Sequence, residues 1–353
     1  MKKTMCALAG ILLSVSVAAA QSDFGFTTNA DGLTITITNY SGPGGAVVIP
    51  DAISNLTVTS IGYGAFAGDI NLVNVTIPNA VTNVGEIAFM SCTHLTNITI
   101  STNLTDMGLA AFRQCSSLIN VTIPGSVTSI PEEGFQACSK LACVAIRDSV
   151  TNIGEFAFYE CTNLSSVTIG NGVTYIGGDS FADCYGLTNV TFGKNVNDIG
   201  GQAFYYCTGL VNVSIPASVT NIEDGAFFEC GNLVRIYFAG NAPAIASGAF
   251  YLAPMFTPTI YYLPGTTGWV SQIQLMPTVP WNTFIQSANI GTNKFGFNIT
   301  GPANIPVLVE VCTNLANPVW SPLLRRFLVG GSASFSEPFQ PNSNGRFYRI
   351  SPQ

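Results

Sequence analysis

The sequence predicts a solenoid of stacked parallel β-strands that is followed by a small all-β module. Three observations lead to this fold class: phenylalanine recurs every 23 residues without a slip, other apolar residues keep fixed distances from each phenylalanine, and this period ends near residue 252, where a new strand pattern begins. A single repeat cannot bury both its strand and its phenylalanine, but stacked neighbours can. The repeats should therefore share one continuous apolar core.

Residues 1–20 have the composition of a cleavable secretory signal peptide. Two lysines precede an apolar run between residues 7 and 17, and Ala18–Ala20 supply the small residues after which signal peptidases cut. This run is shorter than the ~18 residues that a membrane-spanning helix needs. We therefore expect a secreted or cell-surface protein whose mature chain begins at Gln21 and has no transmembrane segment.

Residues 21–48 are predicted to form an N-terminal β cap. Two strand patterns flank Asp31-Gly32, a dipeptide that favours the tight turn of a β-hairpin. A stack of repeats needs such a cap because its first repeat would otherwise expose the core to water.

Residues 49–285 are predicted to form the solenoid together with its C-terminal cap. Just after each leucine, apolar residues alternate with polar ones, as in Leu118–Ile123, which predicts a short strand with one face inward. Pro124 ends that strand, Val127 and Ile130 return to the core, and a tight turn or a single helical turn carries Phe135. The main columns are Phe66, Phe89, Phe112, Phe135, Phe158, Phe181, Phe204, Phe227 and Phe250; Leu72, Leu95, Leu118, Leu141, Leu164, Leu187, Leu210 and Leu233; and Cys92, Cys115, Cys138, Cys161, Cys184, Cys207 and Cys230.

The repeat motif, L-x-x-V-x-I-P followed by V-x-x-I-G-x-x-A-F-x-x-C, resembles the BspA-type leucine-rich repeat family of bacterial surface proteins. Residues 210–230 carry this motif in full, apart from Glu223 where glycine is usual, and the resemblance extends over about residues 40–265. It implies a right-handed leucine-rich repeat solenoid of the β-rich α/β class with parallel strands. It also implies display outside the cell, a role in adhesion or partner binding, and no catalytic residues.

Residues 290–353 are predicted to form a small C-terminal all-β module. The 23-residue period is absent there, and four strand-like patterns take its place. These patterns are Phe295–Ile299, Val307–Val311, Ala333–Phe335 and Arg346–Ile350.

The composition argues against several classes of function. Only 9% of the residues are charged and the net charge is −7, which disfavours nucleic acid and anionic lipid as partners. His94 is the single histidine and lies at a turn, so a Ser-His-Asp or Cys-His set has one poorly placed base. The cysteine spacing does not suit a metal site, and the glycine-rich stretches lack the lysine of a phosphate-binding loop. We expect no catalytic residue, no metal and no cofactor.

The cysteine column is predicted to be buried and free of disulfides. A regular column points every Cβ in the same direction, whereas a disulfide needs Cβ vectors that converge. Free cysteine is a common small apolar residue of protein cores. Cys143 lies outside this column at an outward strand position, where we expect a surface thiol.

Acidic residues recur at the turns and leave one enzymatic alternative open. Paired carboxylates can hydrolyse glycosides when they face each other across a cleft. A secreted glycan-active hydrolase is therefore the alternative function, although repetition alone can place acids along a solvated face. The acids concerned are Glu86, Asp106, Glu132, Glu133, Glu155, Asp179, Glu223 and Asp224.

The outward positions of the predicted strands form the candidate binding surface. They repeat asparagine and threonine in two columns, so stacking should produce a nearly uncharged sheet of amides and hydroxyls. Such a surface suits a protein or glycan ligand held by hydrogen bonds, although it is also compatible with an ordinary soluble sheet face or, less simply, with ice binding. The candidate binding residues are Asn74, Thr76, Asn97, Thr99, Asn120, Thr122, Thr168, Asn189, Thr191 and Asn212.

Aromatic residues form a second pattern near the turns in the C-terminal half of the repeats. Tyrosine and phenylalanine are enriched at protein interfaces, but they can also cover the edge of a core. The residues are Tyr159, Tyr185, Tyr205, Tyr206 and Phe228.

Overall fold

A computed structural model of the chain describes residues 20–251, 257–281, 283–290, 294–301, 306–314, 319–338 and 346–352. The chain divides into two units: unit 1 comprises Met1–Arg235 and Pro243–Pro258, and unit 2 comprises Ile236–Ala242 and Thr259–Gln353. Residues 1–19 of the predicted signal peptide lie outside the described residues. Across the described ranges, no helix has the length and apolarity required to cross a membrane.

Unit 1 begins with a hairpin that covers the first phenylalanine of the stack. The carboxylate of Asp31 accepts the N–H groups of Leu33 and Thr34, both at 2.9 Å, and fixes the turn. Tyr40 then stacks on Phe66 with the ring centroids 5.2 Å apart. The elements of this segment are a 3-10 turn at Gln21–Asp23 and strands β1 (Phe24–Thr28), β2 (Thr34–Tyr40), β3 (Gly45–Val48), β4 (Ala52–Ile53) and β5 (Leu56–Ile61). Because β1 and β2 pair antiparallel while β2 and β5 pair parallel, the hairpin joins the start of the repeats.

The repeats contribute short strands that alternate between two ladders. These strands are β6 (Leu72–Thr76), β7 (Asn83–Val84), β8 (Asn97–Thr99), β9 (Asp106–Met107), β10 (Ser129–Ile130), β11 (Cys143–Ala145), β12 (Asn152–Ile153), β13 (Ser166–Thr168), β14 (Tyr175–Ile176), β15 (Asn189–Thr191), β16 (Asp198–Ile199), β17 (Asn212–Ile215), β18 (Asn221–Ile222), β19 (Arg235–Phe238) and β20 (Ala244–Ile245).

The first ladder contains the strands predicted after each leucine. Parallel pairs join β3, β6 and β8, single bridges at Asn120 continue the ladder, and parallel pairs then join β11, β13 and β15. Residues 23 apart face each other in register, as Val144 faces Val167 and Val167 faces Val190. The predicted solenoid of parallel strands is confirmed.

The second ladder was not predicted as strand. Its strands, which have two residues each apart from β5, pair in parallel from β5 to β9 and again from β10 to β20. The sequence indicated only that Ile130 and its equivalents return to the core, because two residues are too few to show an alternating pattern. Hydrogen bonds between repeats, rather than local sequence, define these strands.

The third side of each repeat is a tight turn, not a helical one. Residues two positions before and after the column phenylalanine have positive φ, as at Glu133 (54°) and Ala137 (56°). This geometry lets the N–H groups of Glu133, Phe135 and Ala137 donate to carbonyl oxygens of the next repeat at 2.9, 2.8 and 2.7 Å. The helical component of the expected α/β class is therefore absent here, and the helix found in the described ranges is the 3-10 turn at Gln21–Asp23.

The phenylalanine and cysteine columns form the core of unit 1. Ring centroids from Phe66 to Phe250 are 4.8–5.4 Å apart in successive repeats, with nearly parallel planes. Each column cysteine is buried and free, and its Sγ–H donates to the phenylalanine carbonyl of the preceding repeat, as Cys161 does to Phe135 at 3.2 Å. The prediction for the cysteine column is confirmed.

Cys143 differs from the prediction. It is half-buried at the outward position of β11, as the period requires, but it is disulfide-bonded. The expectation of a free surface thiol is therefore wrong.

We expect the column cysteines to resist thiol reagents in the folded protein and to react fully in concentrated guanidinium chloride. Burial raises the pKa of the Cys138 and Cys230 thiols to about 12, so raising the pH to 10 should not expose a thiolate. Mass spectrometry after maleimide treatment measures the number of labelled sites. Rapid labelling of the column cysteines in the folded protein would contradict their burial.

The same buried thiols should make stability depend on alkaline pH. Above the ordinary thiol pKa of 9.0, the unfolded chain releases protons that the folded chain retains. The free energy of unfolding should be unaffected by these groups below that pH and fall above it, by up to about 1.4 kcal/mol per pH unit for each such cysteine. Denaturant titrations at several pH values should show a shallower decline for Cys138→Ala.

Unit 2 holds the C-terminal strands. Antiparallel pairing forms two three-stranded sheets, one ordered 284–290, 294–300 and 332–338 and the other ordered 321–327, 306–312 and 347–352, so the predicted all-β module is confirmed. Its buried core includes Trp281, Phe297, Val309 and Phe335, together with Tyr237. The strands are β21 (Thr259–Tyr262), β22 (Gln272–Ile273), β23 (Met276–Pro280), β24 (Phe284–Ile290), β25 (Lys294–Thr300), β26 (Pro306–Cys312), β27 (Ser321–Phe327), β28 (Ser332–Pro338) and β29 (Phe347–Pro352).

Candidate binding surfaces of the solenoid

The strand face is made by the ten candidate binding residues named above, along the outward side of the first ladder and of β17, the strand next to β15 in unit 1. The parallel register aligns them: Asn74 lies opposite Asn97, and Thr76 opposite Thr99. Neighbouring strands are about 4.8 Å apart. The face therefore extends over roughly 29 Å between Asn74 and Asn212.

Most of the ten residues are open to solvent because the intervening apolar residues point into the core. Asn74 and Asn212 are half-buried, and the other eight residues are exposed. Cys143 and Ala145 interrupt the two columns, so the polar surface consists of an N-terminal patch and a C-terminal patch. Tyr237, at the position equivalent to the threonines, is only 3% exposed because it belongs to the core of unit 2.

The hydroxyl groups of the strand face differ from those beside it. One position earlier, in three of the repeats, the hydroxyls of Thr96, Ser165 and Thr188 donate to backbone carbonyls of the preceding repeat at 2.9–3.0 Å. Within the described ranges, no such bond occupies the hydroxyls of Thr99 and Thr191. The hydroxyls of the strand face are thus free to bond water or a ligand.

In other repeats the same position, at one edge of the strand face, carries an exposed apolar side chain that was not predicted as part of a binding surface. These side chains occupy the position just after the column leucine, and their exposed fractions are 39–45%. Apolar side chains beside a polar surface are typical of protein contact sites. An apolar residue at an outward position of the period was the signal that could have revealed them. They are Val73, Ile119, Val211 and Val234.

The aromatic turn patch comprises Tyr159, Tyr185, Tyr205, Tyr206, Phe228 and Tyr251. The ring centroids of Tyr205 and Phe228 are 5.4 Å apart and those of Phe228 and Tyr251 are 5.1 Å apart, with nearly parallel planes. The Tyr206 ring is tilted by 57° to that of Tyr205, at 4.7 Å. The Asp183 carboxylate lies near the hydroxyls of Tyr159 and Tyr185: burial and this carboxylate raise the pKa of Tyr159, and the carboxylate is the main cause of the raised pKa of Tyr185. The structure therefore brings Tyr205, Tyr206 and Phe228 into contact and adds Tyr251, which shares the column of Tyr205 and Phe228, while Tyr159 and Tyr185 lie around Asp183.

Comparison with known proteins agrees with this geometry. The family model described as the BspA type leucine rich repeat region matches residues 48–162 and 128–257, in six copies. The chain belongs to the BspA-type leucine-rich repeat family. The leucine-rich repeat fold predicted from the sequence is thus confirmed. Among curated proteins, none shows significant similarity to the chain.

Two solved structures of leucine-rich repeat proteins are similar to this BspA-type chain. One, from T. pallidum, is 33% identical, with 54% of this chain and 88% of that chain covered and a TM-score of 0.51. The other, from Bacteroides ovatus ATCC 8483, is 24% identical, with 68% and 70% covered and a TM-score of 0.51. The second similarity bears on the fold alone.

The turn carboxylates of this BspA-type solenoid partly serve structural contacts. Glu133 forms an ion pair with Arg113 at 2.6 Å. Glu223, which replaces the usual glycine of the motif, accepts the N–H of Gly201 at 2.9 Å, and Asp224 accepts that of Gly248 at 2.9 Å. His94 is exposed. Over the described ranges, no three His, Cys, Asp or Glu side chains are grouped to hold a metal ion.

Unit 2 contains a shallow aromatic cavity of about 410 Å³. The Arg346 guanidinium at its edge bonds both carboxylate oxygens of Glu337 at 2.9 Å, and the Tyr348 hydroxyl donates to the same carboxylate. The charge of Arg346 is thus compensated within the chain, which leaves a mainly apolar lining. The lining residues are Ile285, Ala288, Phe295, Phe297, Trp320, Arg346, Phe347 and Tyr348.

Proposed function

We propose that this BspA-type leucine-rich repeat protein is an exported, non-enzymatic binding protein. Its strand face would hold a protein or glycan partner in adhesion or in contact with a host or the environment. The observation that carries this proposal is the exposure, in register, of uncharged amides and hydroxyls along the first ladder. The apolar side chains beside them favour a protein over a glycan, because a protein partner can bury this apolar surface on binding.

Export is part of the proposal and is supported by the leader pattern of residues 1–20. The low charge also fits, since the strand face lacks the cations that nucleic acid would require. A repeat scaffold supplies a long surface on which such side chains recur at a fixed spacing. The turn carboxylates that serve structural contacts give the hydrolase alternative no further support.

The double substitution Asn97→Lys with Asn120→Lys should weaken binding to a partner of the strand face. Two exposed lysines would place charge in the middle of an uncharged contact, and we expect retention to fall at least about tenfold. The measurement is retention of purified extracellular proteins and arrayed glycans by the mature chain. Asn163→Lys is the matched control, because Asn163 is exposed but lies outside the strand face.

Equal loss of binding in the control would show a general effect of added charge. Equal retention by all three proteins would place the contact elsewhere on the molecule. A wild-type chain that retains no protein or glycan would contradict the proposed function.

A further inference from the structure

Three tyrosines of the aromatic turn patch are exposed, although the core does not need them as cover. Exposed fractions are 47% for Tyr185, 37% for Tyr206 and 59% for Tyr251. The phenylalanine column already fills the core behind them, and earlier repeats carry Ala67, Met90, Arg113 and Gln136 at the position of Tyr205. The packing of the solenoid therefore does not explain why these large rings meet solvent.

The same turns concentrate negative charge. The segments 155–162, 178–185, 201–208, 224–231 and 247–251 contain six acidic residues and no lysine, arginine or histidine. Burial and the charges of Glu155 and Asp183 raise the pKa of Asp179, so these carboxylates repel one another. By contrast, Glu133 in an earlier turn forms an ion pair with Arg113. The acids are Glu155, Glu160, Asp179, Asp183, Asp224 and Glu229.

We propose that the aromatic turn patch and these acids form a second binding surface, whose ligand is an extended polypeptide segment rich in arginine or lysine. An arginine or lysine side chain can lie over a tyrosine ring while its charge approaches a neighbouring carboxylate. Asp183 lies beside Tyr159 and Tyr185, and the charges of Asp183 and Glu229 also act on Tyr205, so carboxylates border the rings of the patch.

The dimensions and the charge both suit this ligand. Five repeats at about 4.8 Å each give roughly 20 Å between the outer turns, which matches about six residues of extended chain. Neutral glycans also stack on aromatic rings and can donate hydroxyls to carboxylates, but they carry no positive charge to balance six acids for which the described ranges show no ion pair. Nucleic acid would be repelled. This surface is separate from the strand face and does not depend on the proposed function.

The test is fluorescence anisotropy of a labelled 12-residue peptide of alternating arginine and serine, with the mature chain as the binding protein. We expect saturable binding that weakens with salt, and none for the peptide in which glutamate replaces arginine. The pair Tyr206→Ser with Tyr251→Ser and the pair Glu160→Gln with Glu229→Gln should each weaken binding about tenfold or more. Both pairs alter exposed or half-buried side chains, and circular dichroism checks that they fold.

Two controls complete the test. Tyr63→Ser removes a 71% exposed tyrosine outside the patch and should leave binding unchanged. Asn97→Lys with Asn120→Lys, which tests the strand face, should also leave it unchanged, so failure of either proposal can be told from failure of the other.

Three results would overturn the proposal. If the Glu160→Gln, Glu229→Gln variant lost binding while the Tyr206→Ser, Tyr251→Ser variant bound fully, the peptide would be held by general charge attraction and not by the aromatic rings. A neutral polysaccharide that binds through the tyrosines, when the arginine peptide does not bind, would identify a glycan surface. Absence of saturable arginine-peptide binding at low salt would exclude the cationic ligand.

Discussion

Replacing Phe158 with alanine is expected to lower the free energy of unfolding by about 3–5 kcal/mol, the usual range for loss of a buried phenylalanine. The side chain is fully buried, and its ring stacks between those of Phe135 and Phe181 at 5.4 and 5.2 Å. The cavity would border two neighbours that the backbone ladders hold in register, so the repeats cannot easily collapse to fill it.

The loss of stability caused by Phe158→Ala should be greatest in the altered repeat and its neighbours. Each repeat of a solenoid contacts only its neighbours, so weakening one interface promotes local opening on both sides of it. Denaturant titration gives the total change, and amide hydrogen exchange should show the largest loss of protection around Phe135 and Phe181. Phe156→Ala is the matched control, since this half-buried phenylalanine lies two residues away on the turn side. An unchanged free energy of unfolding for Phe158→Ala would contradict the stacked core.

Replacing Gly177 with alanine is expected to cost at least about 3 kcal/mol, the upper part of the range for overpacking. An added Cβ would lie 2.6 Å from the carbonyl carbon of Gly154 and from the carbonyl oxygen of Ile153. These are backbone atoms of the preceding repeat and cannot rotate away. The repeats would have to separate, which lengthens hydrogen bonds such as Gly177 N–H to Ile153 O at 2.9 Å.

Gly125→Ala is the matched control for this substitution. The nearest atom to its added Cβ is the Arg147 Cδ, at 3.9 Å, and its backbone does not require positive φ. It should be neutral or stabilise the protein by up to about 1 kcal/mol, because alanine reduces the freedom of the unfolded chain. Thermal unfolding followed by circular dichroism compares the two variants. Equal melting temperatures would show that close backbone approach does not explain the glycine of the motif.

Glu223 and Pro131 occupy the same position in their repeats as Gly177. At Glu223 the facing residue is Gly201, whose N–H bonds the Glu223 carboxylate. The stack can therefore hold a Cβ at this position where the facing backbone suits it. The prediction for Gly177 depends on its own contacts and not on the motif alone.

Several features of the strand face were predictable from the sequence. The unbroken 23-residue period fixes which residues share a column, and the alternation after each leucine fixes which of them point outward. Asn97 and Thr99 are exposed as that alternation predicts. Tyr237 follows the same period but is buried, because a non-local core in unit 2 surrounds it. Local periodicity carries no information about such a contact.

The turn side was less predictable. The sequence left a tight turn and a helical turn open around Phe135, since either can carry one phenylalanine into the core. The structure adopts the tight turn with positive φ at Glu133 and Ala137, because it directs successive N–H groups to the next repeat. That choice depends on hydrogen bonds to residues 22 positions away, which only stacked repeats provide.

The sequence by itself therefore determined the solenoid, the membership of each core column and the polar columns of the strand face, because an exact repeat transfers one local pattern to every copy. The tertiary structure alone decided the second ladder, the bond from each cysteine thiol to a phenylalanine carbonyl, and the grouping of Tyr185, Tyr206 and Tyr251 with their acids. These features depend on distances between repeats, which the order of residues within one repeat does not specify.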